Sequence, residues 1–146
     1  MRNQKILFLL FMSSIFYACS GNAQNNVVTN KAKSTNKIEV LDFHTAHRCT
    51  SCLNIEAYTK ETLNKYFTKE MKEGKITFAL INADEKVNEK LVEKFGAYGT
   101  TLCLNVIKNG NETPHDITEF AFLKVSDKKV FIAELKKKIE ELLTKI

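Results

Sequence analysis

The 146-residue chain carries 22 Lys and Arg against 17 Asp and Glu, a formal net charge of +5. Setting aside residues 1 to 18 removes Arg2 and Lys5 and leaves 20 basic against 17 acidic residues, or +3, evenly mixed along the chain. That balance argues against a nucleic-acid binder, and the roughly 110 residues beyond the N-terminal region suffice for one hydrophobic core and no more.

Arg2 and Lys5 frame the start of an apolar stretch, Ile6 to Phe11 with Ile15 and Phe16, too short to span a bilayer as a mature helix. Residues 1–18 are therefore expected to be an export signal. Two cleavage sites compete. Phe16-Tyr17-Ala18-Cys19 followed by Ser20-Gly21 resembles a bacterial lipoprotein box, although Tyr17 is bulky for it, and would make Cys19 the lipid attachment residue. Gly21-Asn22-Ala23 would instead suit an ordinary signal peptidase and release a soluble protein. The lipoprotein reading is preferred because it gives a lone cysteine at the end of an apolar signal a purpose. It places the protein in the cell envelope, anchored to the membrane by lipid and facing the periplasm or cell exterior. Residues 19–36, which include the aperiodic NNVVTNKAKSTN, read as a flexible tether.

Residues 37–146 read as one domain. Ile38 to His44 is an apolar strand of the kind covered on both faces. Thr50 to Glu73 is expected to be one long helix, with Leu63, Tyr66, Phe67 and Met71 at helical spacing and Gly74 as its stop. Lys75 to Asn82 is a second buried strand. Asp84 is expected to cap a helix whose buried face is Val87, Leu91, Val92 and Phe95, ended by Gly96. Thr101 to Ile107 is a third strand, and Asn109-Gly110 is a hairpin signal leading to a fourth at about Asp116 to Phe122. Ser126 and Asp127 open the last helix, with Phe131, Leu135, Ile139, Leu142 and Ile146 buried and Lys136-Lys137-Lys138 and Glu140-Glu141 solvated. The order β-α-β-α-β-β-α implies an α/β fold with a mixed four-stranded sheet and helices on both faces.

The chemistry concentrates in His47-Arg48-Cys49-Thr50-Ser51-Cys52, where the first strand hands over to the first helix. Two cysteines three apart can close a disulfide within one turn. At a helix N-terminus the free backbone N–H groups and the dipole favour a negative group, so Cys49 should ionise more readily than a free thiol and act as the nucleophile, with Cys52 resolving. The plain alternative is an inert structural disulfide.

Several further strings accompany this motif: Asp42-Phe43 closing the strand, Asn82-Ala83-Asp84, Lys94-Phe95-Gly96 and Lys108-Asn109-Gly110. Together with Cys-x-x-Cys they resemble the thioredoxin-like superfamily over nearly all of residues 37–146, and in an exported context they resemble bacterial envelope thiol-disulfide oxidoreductases. The resemblance implies a thioredoxin fold, no cofactor, and protein or small-molecule thiols and disulfides as partners. A reductant of this kind would also need a membrane electron donor. It further implies that Asp42 accepts the proton of the resolving thiol, although a solvated strand-end carboxylate is the competing reading, since Asp42 lies seven residues before Cys49. The chain departs from the family in three places. Arg48 replaces a Trp, Thr50-Ser51 replace Gly-Pro, and no proline occupies the loop Tyr98 to Leu102, so that Thr100 or Thr101 stands where a cis-proline is usual. A cation at Arg48 should favour the Cys49 thiolate unless it is exposed and screened.

The same neighbourhood offers a second chemistry. His44, His47, Cys49 and Cys52 form a His-x-x-His-x-Cys-x-x-Cys string whose ligand types suit zinc, though bringing all four to one point across a strand-helix junction is demanding. Cys103 within the third strand reads as a small buried hydrophobe, and His115 as plain loop surface. Three functions follow: a thiol-disulfide oxidoreductase, a metal or metalloid binding module, and an interaction module whose cysteines are only structural.

Overall fold

Alternation along Lys37–His44 (β1) organises the domain in the computed structural model, which describes residues 36–146. The expected export signal, the lipid attachment residue Cys19 and all of the expected tether except Asn36 lie outside the described residues. Ile38 and Val40 point into the larger of two buried clusters, and Leu41 and Phe43 into the smaller, so β1 is covered on both faces as its composition requires. Ile76–Asn82 (β2) pairs with β1 in parallel, from Ile38 opposite Ile76 to His44 opposite Asn82. Thr101–Lys108 (β3) pairs antiparallel on the other side of β1, and Asn111–Asp116 (β4) pairs antiparallel with β3. The sheet order is therefore β2-β1-β3-β4.

Among the described residues five α-helices accompany the sheet: Thr50–Tyr66 (α1), Thr68–Lys72 (α2), Glu89–Phe95 (α3), Thr118–Lys124 (α4) and Lys128–Leu143 (α5). Ile55 and Leu63 of α1, Ala121 of α4, and Phe131, Leu135 and Ile139 of α5 fill the larger cluster. Val92 of α3, with Leu91 and Phe95 beside it, covers the opposite face. A mixed four-stranded sheet in this order, with helices on both faces, is a thioredoxin-like α/β fold. Asp127 caps α5 by accepting from the Lys129 and Val130 N–H groups, and Gly96 ends α3 with a positive φ of 61°.

Three expectations need correction. The single helix 50–73 is broken at Phe67, which leaves helical backbone (φ −126°, ψ 20°) and buries its ring in the core. The Thr68 hydroxyl donates to the Asn64 carbonyl across the break at 2.7 Å. Asp84 does not cap α3. Its side chain accepts from the Ala46 N–H at 2.6 Å, a 3-10 turn at Lys86–Asn88 intervenes, and Val87 is 84% exposed rather than buried. The fourth strand is Asn111–Asp116, not 116–122. Asn109 and Gly110 both take positive φ, 52° and 80°, so pairing resumes at once with Lys108 opposite Asn111. The Asp116 side chain then accepts from the Thr118 N–H at 2.8 Å and turns the chain into α4. Residues 111–116 carry no apolar alternation because the strand lies at the sheet edge, is largely exposed, and contains Pro114.

Candidate functional site

The segment after β1 is tied down before it reaches the cysteines. The Ala83 N–H donates to the His44 carbonyl at 2.7 Å, Asp84 holds the Ala46 N–H, and the Thr45 hydroxyl donates to the His47 carbonyl at 3.0 Å. Cys49 is the N-cap of α1, in extended conformation, and its Sγ accepts from the Cys52 N–H at 3.1 Å. A backbone N–H that a Ser or Asp side chain would usually satisfy is thus directed at a sulfur. Cys49 and Cys52 are joined in a disulfide with their Cα atoms 5.1 Å apart. The two ends differ in environment: Cys49 is exposed and Cys52 is 7% exposed. An incoming thiol or disulfide can reach only the first.

Asp42 lies on the same face of β1 as Ile38 and Val40, the face that α1 covers, and is fully buried. Neither carboxyl oxygen has a hydrogen-bond partner among the described residues. Burial pushes the Asp42 carboxyl up from 3.8 to about 7; Arg48, His44 and Lys60 pull it back, while the negative charge of Glu56 pushes it further up. The solvated strand-end reading of Asp42 is therefore wrong. At neutral pH this group can both hold and release a proton.

Arg48 is also placed differently from an exposed cation beside Cys49. Its side chain is 16% exposed and turns along α1, with Nη1 bonded to Glu56 Oε2 and Nη2 donating to the Cys52 carbonyl at 3.4 Å. Lys60 Nζ bonds the other oxygen of Glu56. Burial works against the Glu56 charge, but its bonds from Lys60 and Arg48 prevail and hold the carboxyl below its ordinary range. Glu56 and Lys60 were not singled out from sequence. The signal was available, since Cys52, Glu56 and Lys60 recur every fourth residue as one stripe along α1, and Arg48, just before its N-cap, continues the same spacing.

The remaining residues are distributed as follows. Thr101 opens β3 opposite Phe43 and is 9% exposed, so the loop through Thr100 sits at the C-terminal end of β1, where the cysteines also lie. No peptide bond among the described residues is cis. His44 Nδ1 is 3.0 Å from the Thr45 carbonyl oxygen, and His47 is exposed. Among the described residues no group of three or more His, Cys, Asp or Glu side chains is placed to hold a metal ion, so the four-residue string does not converge in this oxidised form. Cys103 is 2% exposed and burial pushes its thiol up to about 11, which fits a buried hydrophobe. His115 lies half-buried on β4 rather than in a loop.

A Cys-x-x-Cys disulfide closed at the N-terminus of a helix, in a domain of thioredoxin-like fold, defines a redox-type site. No protein-family model matches the chain, and no curated protein matches it. Among solved structures, the chain is similar to one described as a malarial protein, at 22% identity over 61% of this chain and 96% of the other, with a TM-score of 0.39. It is also similar to the first two thioredoxin domains of Naumovozyma dairenensis Eps1p, at 19% identity over 66% of this chain and 36% of the other, with a TM-score of 0.41.

Proposed function

We propose that the protein is a thiol-disulfide oxidoreductase of the cell envelope, exported by residues 1–18 and anchored through a lipid on Cys19. The observation that carries the reading is the asymmetry of the Cys49–Cys52 disulfide, one residue exposed at a helix N-terminus and the other buried, in a domain whose first strand also buries a carboxyl without partners among the described residues. In the reduced protein, Cys49 thiolate, held by the Cys52 N–H and the α1 dipole, attacks one sulfur of a partner disulfide. A Cys49–partner bond forms and the other partner sulfur leaves as thiolate. Cys52 then gives its proton to the Asp42 carboxylate and attacks Cys49. The Cys49–Cys52 bond forms, the second partner sulfur leaves, and two electrons have passed to the partner. The reverse sequence oxidises a partner dithiol.

The partners are protein or small-molecule thiols and disulfides, and in the reducing direction the pair would draw on a membrane electron donor. Thr100 and Thr101 would present backbone to a substrate at the cysteine end of the sheet, where the loop carries no proline. The test is mechanism-based trapping. Cys52→Ser should accumulate partners linked to Cys49 through disulfides that dithiothreitol releases, and Cys49→Ser should accumulate none. Equal, empty traps for both variants would contradict the proposal.

A further inference from the structure

The Arg48–Glu56 pair has a geometry that an ordinary surface ion pair does not need. Both side chains are largely buried, at 16% and 15% exposed; Arg48 reaches the Cys52 carbonyl, and the charges of both act on Asp42. Arg48 commits Nη1 to Glu56 and Nη2 to the Cys52 carbonyl, while its buried Nε lacks a partner among the described residues, and so do both oxygens of Asp42. A guanidinium donor and a carboxyl within electrostatic reach of each other are thus both left unpaired. Glu56 accounts for this, because it competes for the same cation and is itself fixed from its other oxygen by Lys60.

We propose that Glu56 is a positioning residue for disulfide exchange: by holding the Arg48 guanidinium along α1, it withholds that cation from Asp42 and leaves the Asp42 carboxyl free to take the Cys52 proton. Without Glu56, Arg48 would turn its donors to the buried carboxylate, and an Asp42 locked in an ion pair is a poor proton acceptor. The charged groups facing Asp42 are His44 on its own strand, Arg48 in the loop, and Glu56 and Lys60 on α1. Its strand neighbours, Leu80 and Leu102, are apolar. Glu56 is the sole anion in that set, so it is the one member that keeps the proton on Asp42 rather than driving it off. This inference rests on the oxidoreductase reading above.

The experiment is single-turnover oxidation of the reduced protein, carrying Cys19→Ser, by the aromatic disulfide dithiobis(nitrobenzoate). Release of the first nitrothiolate reports attack by Cys49, and release of the second reports resolution by Cys52. In the wild-type background the second rate should rise with pH as Asp42 ionises. Glu56→Gln should move that midpoint down by roughly one pH unit, and Arg48→Gln should move it up by a similar amount. Opposite shifts from the two halves of one ion pair are the signature, because a purely structural pair would lose stability on both sides and shift neither. Glu56→Asp, which keeps the charge on a shorter arm, should fall between wild type and Glu56→Gln. Midpoints that stay fixed, or that move in the same direction in both Gln variants, would overturn the proposal, as would a folded Glu56→Asp with an unmoved midpoint. Should the protein release no nitrothiolate beyond the level of Cys49→Ser, the oxidoreductase reading itself has failed, a result distinct from either.

Discussion

The sheet buries a polar side chain near each of its ends, and the two are treated in opposite ways. At the hairpin end, Asn105 on β3 is fully buried, but its amide donates to Glu39 at 3.0 Å and to Glu112 at 2.9 Å. Those carboxylates are in turn paired with Lys37 and Lys94. Among the described residues the Asn105 carbonyl oxygen lacks a partner, but the amide is neutral. At the cysteine end, on the opposite face, Asp42 is equally buried, ionisable, and bonded to none of the described residues. Asn105 joins neighbouring strands through both bonds of its amide nitrogen, whereas Asp42 is an acid with no hydrogen-bond partner among the described residues, which the fold carries at a cost. A buried ionisable group left in that condition at the cysteine end of the sheet is a functional group rather than a fastener.

The comparison can be broken most forcefully at Asp42. Asp42→Asn removes the proton acceptor and should slow resolution by Cys52 by roughly 100-fold at neutral pH, read as second-phase nitrothiolate release. The same substitution should stabilise the protein on the alkaline side. Asp42 titrates at 3.8 in the unfolded chain and at about 7 in the folded one, so the folded state binds the extra proton between those values. Wild-type stability should therefore fall as pH rises from about 4 to 7, by at most about 4 kcal/mol at roughly 1.4 kcal/mol per pH unit, and Asp42→Asn should lack that decline. Urea unfolding at a series of pH values measures it, and parallel curves for the two proteins would show that Asp42 does not titrate as described.

Asn105→Ala probes the other end. It removes the two donated bonds and opens a small void, so the protein should lose about 2 kcal/mol in urea unfolding at neutral pH, with exchange rates unchanged. A loss of exchange in a stable Asn105→Ala protein would mean that the two ends are coupled. The smallest effect belongs to Lys94→Gln. Lys94 is the first cause of the lowered Glu112 carboxyl, with Asn105 the second, but both members of the ion pair are well exposed, so stability should change by less than about 1 kcal/mol.

Which of these features could be read in advance follows from how each is encoded. β1, β2, β3 and α5 announce themselves by apolar spacing, and the type and place of the hairpin turn by Asn109-Gly110, because burial and positive φ leave local marks. The edge strand 111–116 leaves none, since it buries almost nothing, and the break at Phe67 depends on where the core needs a ring. At the site, the cysteines were legible from their spacing alone. The burial of Asp42 and the inward turn of Arg48 were not, because both depend on α1 lying across β1. Glu56 was legible only as the fourth-residue stripe it shares with Arg48, Cys52 and Lys60.

Everything proposed for the site requires that Cys49 and Cys52 cycle. Equilibrating the protein in graded thiol buffers and reading the pair by alkylation and mass tests it directly, since the chain has no Trp to report by fluorescence. The account predicts a reversible two-electron transition between about −120 and −270 mV. A pair that remains oxidised below about −300 mV would be a structural disulfide and would contradict the account.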